Sequence, residues 1–116
     1  MSTMIGPYEQ SAVAKAAYDA RWERIQAIAR LEQPDRMPVG LHSFFWPAKY
    51  GGITYKELMY DYDKAKQVTL DAAMEFEPDG VYPLILGTTI GRMLEKFEFK
   101  QLQWPGHGVG DMQPFQ

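Results

Sequence analysis

Two apolar runs, "RMPVGLHSFF" (Arg36–Phe45) and "EPDGVYPLILG" (Glu77–Gly87), flank a long stretch with helical periodicity. That order constrains the fold more than any other feature. The first run reads as a strand from about Met37 to Ser43, the second as a strand from about Gly80 to Leu86. Neither alternates strictly between apolar and polar residues. Nearly continuous apolar strands are typically buried on both faces, as in a parallel sheet covered by helices. Strand, helix, strand therefore predicts a right-handed parallel βαβ unit in an α/β fold. Pro38 fits at the start of its strand, where a missing N–H does least harm, and Pro83 marks a bulge or an early end to pairing.

Helix signals surround these runs. Ser11 caps a helix predicted to reach about Leu31, with Val13, Ala17, Trp22, Ile25, Ile28 and Ala29 as its apolar stripe. Arg21, Glu23, Arg24 and Arg30 fall largely on the other face, and Pro34 stops the helix. Thr54 followed three residues later by Glu57 matches a capping box. Asp61 is a second cap, for a helix ending near Phe76. Thr88 is expected to cap a short helix in "TTIGRMLEKF", "EFKQLQW" reads as a third short strand, and "WPGHGVGDMQPFQ" reads as loop. Residues 1–10 read as a flexible arm and 11–116 as one unit.

Composition removes several classes. The 116 residues suit one domain, and 46% hydrophobic content is enough for a packed core. A net charge of −3, with no Lys/Arg block, gives no footprint for nucleic acid. No apolar run approaches the roughly 20 residues of a membrane span. No basic start followed by an apolar block marks a secretory leader, so a cytoplasmic location is expected. The chain has no cysteine, which excludes disulfides, thiolate metal sites and cysteine nucleophiles within this stretch. Two strands leave both sheet edges open, so the unit is expected to belong to a larger chain or to assemble as an oligomer.

"RWERIQAIARLEQPDRMPVG" resembles the N-terminal helix and first strand of the uroporphyrinogen decarboxylase superfamily, which includes corrinoid- and coenzyme M-linked methyltransferases. "YGGITYKELMYDYDKAKQVTLDAAMEFEPDGVYP" is similar to the segment that follows in methyltransferase-like members. "LQWPGHGVGDMQPFQ" resembles a loop of one decarboxylase-like branch. The resemblance covers about Arg21 to Gln116. It implies the N-terminal portion of a (β/α)8 TIM barrel of about 250 residues: a leading helix plus the first two βα units, incomplete alone. The remaining strands would come from the same longer chain or from another chain. The complete protein would be a lyase or a methyltransferase acting on a small molecule, with zinc and a corrinoid as cofactors of the methyltransferase branch. Its zinc ligands lie late in the barrel, so no metal site is expected in this segment.

Active sites of such barrels sit at the C-terminal ends of the strands. That placement makes His42, Phe44, Trp46, Tyr50 and Tyr82 the candidate substrate-binding residues; no catalytic residue is assigned. His42 either ligates metal or moves a proton, or is a buried histidine bonded to backbone. Phe44, Phe45 and Trp46 either stack on a flat substrate or pack as core and lid. Tyr50 either holds a carboxylate or is an ordinary surface tyrosine. His107, in "GHGVG", is either catalytic or a loop histidine held among glycines. The decarboxylases place an aspartate near the end of strand two and an arginine-rich segment after strand one. Here Asp79 lies at the wrong end of its strand, as a turn residue would, and Lys49 is the only cation of "HSFFWPAKYGG". Both departures favour methyl transfer or demethylation over haem-pathway decarboxylation, with residues 1–116 inactive by themselves. The alternatives are a non-catalytic assembly module completing a barrel with another chain, or a small independent ligand-binding α/β domain.

Overall fold

The computed structural model describes residues 11–81 and 88–116. The arm expected over residues 1–10, and Tyr82, Pro83 and the rest of the second apolar run, lie outside the described residues. The fold is mixed α/β. Its helices are α1 (Ala12–Ala29), α2 (Trp46–Gly51), α3 (Tyr55–Tyr60), α4 (Tyr62–Phe76) and α5 (Gly91–Lys96). Its strands are β1 (Gly40–Leu41), β2 (Gly80–Val81), β3 (Trp104–Pro105) and β4 (Gly108–Val109). The chain divides into two compact units, residues 1–39 and 40–116.

In the first unit Ser11 caps α1, its hydroxyl accepting the Ala14 N–H at 3.1 Å. The helix ends at Ala29, before Pro34 has any influence. Glu32 N–H donates to the Ala27 carbonyl and Leu31 N–H to that of Ile28, a Schellman closure. Closure puts Leu31 at φ 60, a left-handed conformation that costs a side chain about 1 kcal/mol. Leu31 is also 95% exposed, so its side chain contributes little burial. Leu31→Gly should therefore raise the thermal midpoint of this unit, by about 1 kcal/mol of stability.

The apolar stripe of α1 is not its buried face. Val13, Trp22, Ile25 and Ile28 are exposed, while Ala27 and Arg24 are buried. Arg24, expected outside, is held by a bidentate pair with Asp35, Nε to Oδ1 and Nη2 to Oδ2, both at 2.7 Å. A planar guanidinium matches a carboxylate with two parallel bonds, so the buried cation has a partner that the apolar spacing does not reveal. The Arg24 hydrogen bonds pull the Asp35 carboxyl from 3.8 down to about 2. A carboxyl depressed on folding adds stability above its unfolded value and loses it as the pH falls through the folded one. Acid titration should thus remove this contribution between about pH 4 and pH 2, and Asp35→Asn should abolish the effect. Asp35 is exposed, so salt should shrink the effect. Carboxyl chemical shifts against pH would check it.

In the second unit β1 and β2 pair in parallel, Gly40 opposite Gly80 and Leu41 opposite Val81. The strand–helix–strand order does give a parallel ladder. It is much shorter than the expected Met37–Ser43, because the chain turns at Ser43, whose carbonyl accepts the Trp46 N–H at 2.9 Å. Cover on both faces is also missing: Gly40, Gly80 and Val81 are exposed. Both sheets are two-stranded, and no barrel closes among the described residues.

Pro47 enters the first turn of α2, where no N–H is needed. The capping box at α3 forms as expected: Glu57 N–H to Thr54 Oγ1 at 3.0 Å, and Thr54 N–H to Glu57 Oε2 at 2.9 Å. Asp61 caps α4 through the Lys64 N–H at 3.1 Å. Thr88 does not cap α5, which starts at Gly91 without a side-chain cap, and is instead buried. The strand expected over "EFKQLQW" begins only at Trp104, and the glycine-rich "loop" folds back there as β3 and β4. Phe45, Ala48, Leu58, Met59, Ala65, Val68, Leu94 and Trp104 form the core of this unit. The Trp104 indole N–H donates to the Tyr60 phenol, whose O–H donates to Glu95, both at 2.7 Å.

Candidate functional site

The loop after β1 sorts its aromatic residues by side. Phe45 turns inward and is buried, against Tyr55 (5.0 Å between ring centroids) and Phe115 (4.9 Å). Phe44 and Trp46, its neighbours, stay exposed. Phe44 is held at φ 44, a conformation a bulky side chain adopts only when its surroundings enforce it. Here the turn into α2 enforces it: Phe45 must enter the core while the Ser43 carbonyl receives the Trp46 N–H. Phe44 is left outside beside His42, their rings 4.5 Å apart.

His42 is exposed rather than buried. The candidates come together in two groups. His42 and Phe44 form one pair at the C-terminal end of β1. Trp46 and Tyr50, one helical turn apart on α2, form the other, stacked at 4.9 Å with 26° between their planes. Tyr82 lies outside the described residues.

The second group has a member that the sequence did not single out as functional. Phe76, the last residue of α4, packs edge-on against Trp46 at 5.5 Å and Tyr50 at 5.8 Å. Its neighbour Glu75 accepts the Tyr50 phenol hydrogen bond. That hydrogen bond, which only the protonated phenol can donate, raises the Tyr50 phenol above its ordinary value; desolvation and then the like charge of Glu75 and Asp71 add to it. Phe76 was legible only as the end of the helix capped by Asp61. Its pairing with Trp46 depends on how α2 crosses α4, which no local pattern carries.

His107 lies flat on the Trp104 indole, 4.3 Å between centroids and 15° between planes. It is exposed on its other side and borders a groove of about 590 Å³ with Glu95, Phe99 and Gln103. The size falls in the range of ligand sites. A second groove, about 600 Å³, runs past Lys56, Tyr60, Tyr62 and Arg92.

A zinc site needs three or four converging donors. Among the described residues no group of three His, Asp or Glu is so placed, and the chain has no Cys. These residues do not fit zinc, and a zinc ion would need ligands from elsewhere. No helix among the described residues is long and apolar enough to cross a membrane. No protein-family model, no curated protein and no solved structure matches the chain.

Proposed function

We propose that the chain is the N-terminal portion of a (β/α)8-barrel enzyme resembling the uroporphyrinogen decarboxylase superfamily, and that this enzyme transfers or removes a methyl group. The observation that supports this most is the parallel β1–β2 pair joined through helices, a βα repeat with both edges unpaired among the described residues. Such edges and the exposed Val81 call for further strands. Haem-pathway decarboxylation is disfavoured, because its many-carboxylate substrate needs cations. The loop after β1 offers rings and Lys49, and Asp79 precedes β2 rather than following it. In this reading His42 and Phe44 wall a substrate pocket, and the reacting groups belong to other strands. Residues 1–116 alone are inactive.

Native mass spectrometry of the purified protein tests this. A species well above 13.3 kDa, with other strands supplied by the same chain or by a partner, is the expected result. A 13.3 kDa monomer that unfolds cooperatively would overturn it. That outcome would favour a small independent ligand-binding domain, a reading supported by the core of the second unit, where Leu58, Ala48 and Trp104 are almost wholly buried.

A further inference from the structure

We propose that the groove bordered by α3, the start of α4 and α5 binds the oxyanion of a small organic molecule, with Arg92 and Lys56 as its charge partners and Thr89 as a further donor. This goes beyond the barrel reading and does not depend on it, since every residue involved lies within residues 40–116. Three observations carry it.

The first is a cavity whose walls have a cause. It measures about 600 Å³, and Lys56, Met59, Tyr60, Tyr62, Thr89 and Arg92 are among the residues lining it. That is far more than a bare ion fills and falls in the range of small-molecule sites. Lys56 and Tyr60 are four residues apart on α3, so they share a face. The Tyr60 ring lies directly on Gly91, where a Cβ would come within 2.7 Å of it, and Arg92 is the next residue. The Lys56 stem lies over Gly106, where a Cβ would come 2.8 Å from Lys56 Cε. Two glycines thus let α3 approach its neighbours closely enough for Lys56 and Arg92 to border one groove.

The second is what the groove leaves unsatisfied. The side chains of Lys56, Arg92 and Tyr62 have no ion pair or hydrogen bond among the described residues. The acids of the lining are engaged or offset. Glu57 holds Lys64 and the Thr54 N–H, and Asp61 caps α4. Asp63 makes no such bond among the described residues, but it sits in the first turn of the 15-residue α4, whose amides carry partial positive charge. What remains to be satisfied is a set of donors, two of them cationic.

The third is Thr89. Its hydroxyl oxygen is buried and has no hydrogen-bond partner among the described residues. A buried polar group without a partner is rare, and it carries a cost that a bound acceptor removes. One rotation about χ1 turns the hydroxyl toward the groove that Thr89 lines. These donors select the ligand. A guanidinium fork matches a carboxylate or a phosphate with two parallel bonds, and an ammonium adds a point charge. The rings of Tyr60 and Tyr62 offer a wall for the organic body that carries the charge.

The test is titration of the purified protein with benzoate and with phenyl phosphate, read at the Tyr62 backbone amide by NMR. Benzamide, which has the shape of benzoate without its charge, is the control. The better of the two anions should give a saturable shift at least about fivefold tighter than benzamide, and it names the charged end. Arg92→Gln, at an exposed site, should weaken that binding about tenfold. Thr89→Val keeps the side chain's shape and removes its hydroxyl, and should weaken binding about two- to fivefold. Without ligand, the Trp104 indole signal should be the same in both variants as in the wild type, and so report an intact core. Benzamide binding as tightly as the anions would mean a plain apolar groove. That outcome, no saturable shift with either anion, or an unchanged affinity in Arg92→Gln or in Thr89→Val would overturn the proposal.

Discussion

Trp104→Ala should destabilise residues 40–116 by about 4 kcal/mol, seen as a large drop in the urea midpoint. The indole is 1% exposed and is the largest of the fully buried side chains. Truncating it leaves a cavity lined by core neighbours that are themselves held in helices and can collapse only in part. It also removes the donor to the Tyr60 phenol and the surface on which His107 lies. Small domains have about 5–15 kcal/mol in total, so the change removes a large share of the unit's stability. Trp104→Phe separates the contributions. It keeps an aromatic ring but loses the N–H, while Tyr60 retains Glu95 as acceptor. Its cost should be about 1–2 kcal/mol. Similar losses for the two variants would mean that the hydrogen bond, not the packing, dominates.

Gly51→Ala should destabilise the same unit by about 2 kcal/mol, although alanine is the better helix former. Propensity favours the substitution by about 1 kcal/mol. Sterics oppose it: a Cβ at Gly51 would lie 2.3 Å from Val68 Cγ1 and 2.7 Å from Val68 Cβ. A rotamer change can move Cγ1 but not Cβ, so α2 and α4 must separate. Such overpacking costs about 1–3 kcal/mol, and here the upper part of that range applies. Combined with Val68→Ala, the loss should be smaller than the sum of the two single changes, measured as a coupling energy in a double-mutant cycle. Gly52 is a control with a different cause. It meets nothing within 4 Å but sits at φ 75, so Gly52→Ala should cost about 1 kcal/mol through backbone strain, with no coupling to Val68.

What could be read from sequence was mostly local. Ser11, Thr54 and Asp61 cap their helices as read, because each contact spans three residues of chain. The parallel pairing of the two runs was legible because a helical connection admits little else. Strand length was not. It depends on cover from other elements, and a turn at Ser43 ends β1 once that cover is missing. The outer face of α1 was misread because apolar spacing ignores a buried charge with a partner, and Arg24 has one in Asp35. At the candidate site, the aromatic content of "HSFFWPAKY" was plain. Its division into the inward Phe45, the His42–Phe44 pair and the Trp46–Tyr50–Phe76 cluster was not, since that follows from the left-handed Phe44 and the α2–α4 crossing.

The brevity of the β1–β2 ladder also bears on the order of folding. Gly40 and Gly80 meet across forty residues of chain. Closing such a loop costs on the order of 3 kcal/mol in entropy, and two residue pairs return little of it. The ladder can close only after α2, α3 and α4 have condensed and brought its ends together. By the same arithmetic it is the first part to open. Hydrogen exchange should find the amides of Leu41 and Val81 swapping their protons through small local openings, while the Leu58 amide waits for the whole unit to come apart.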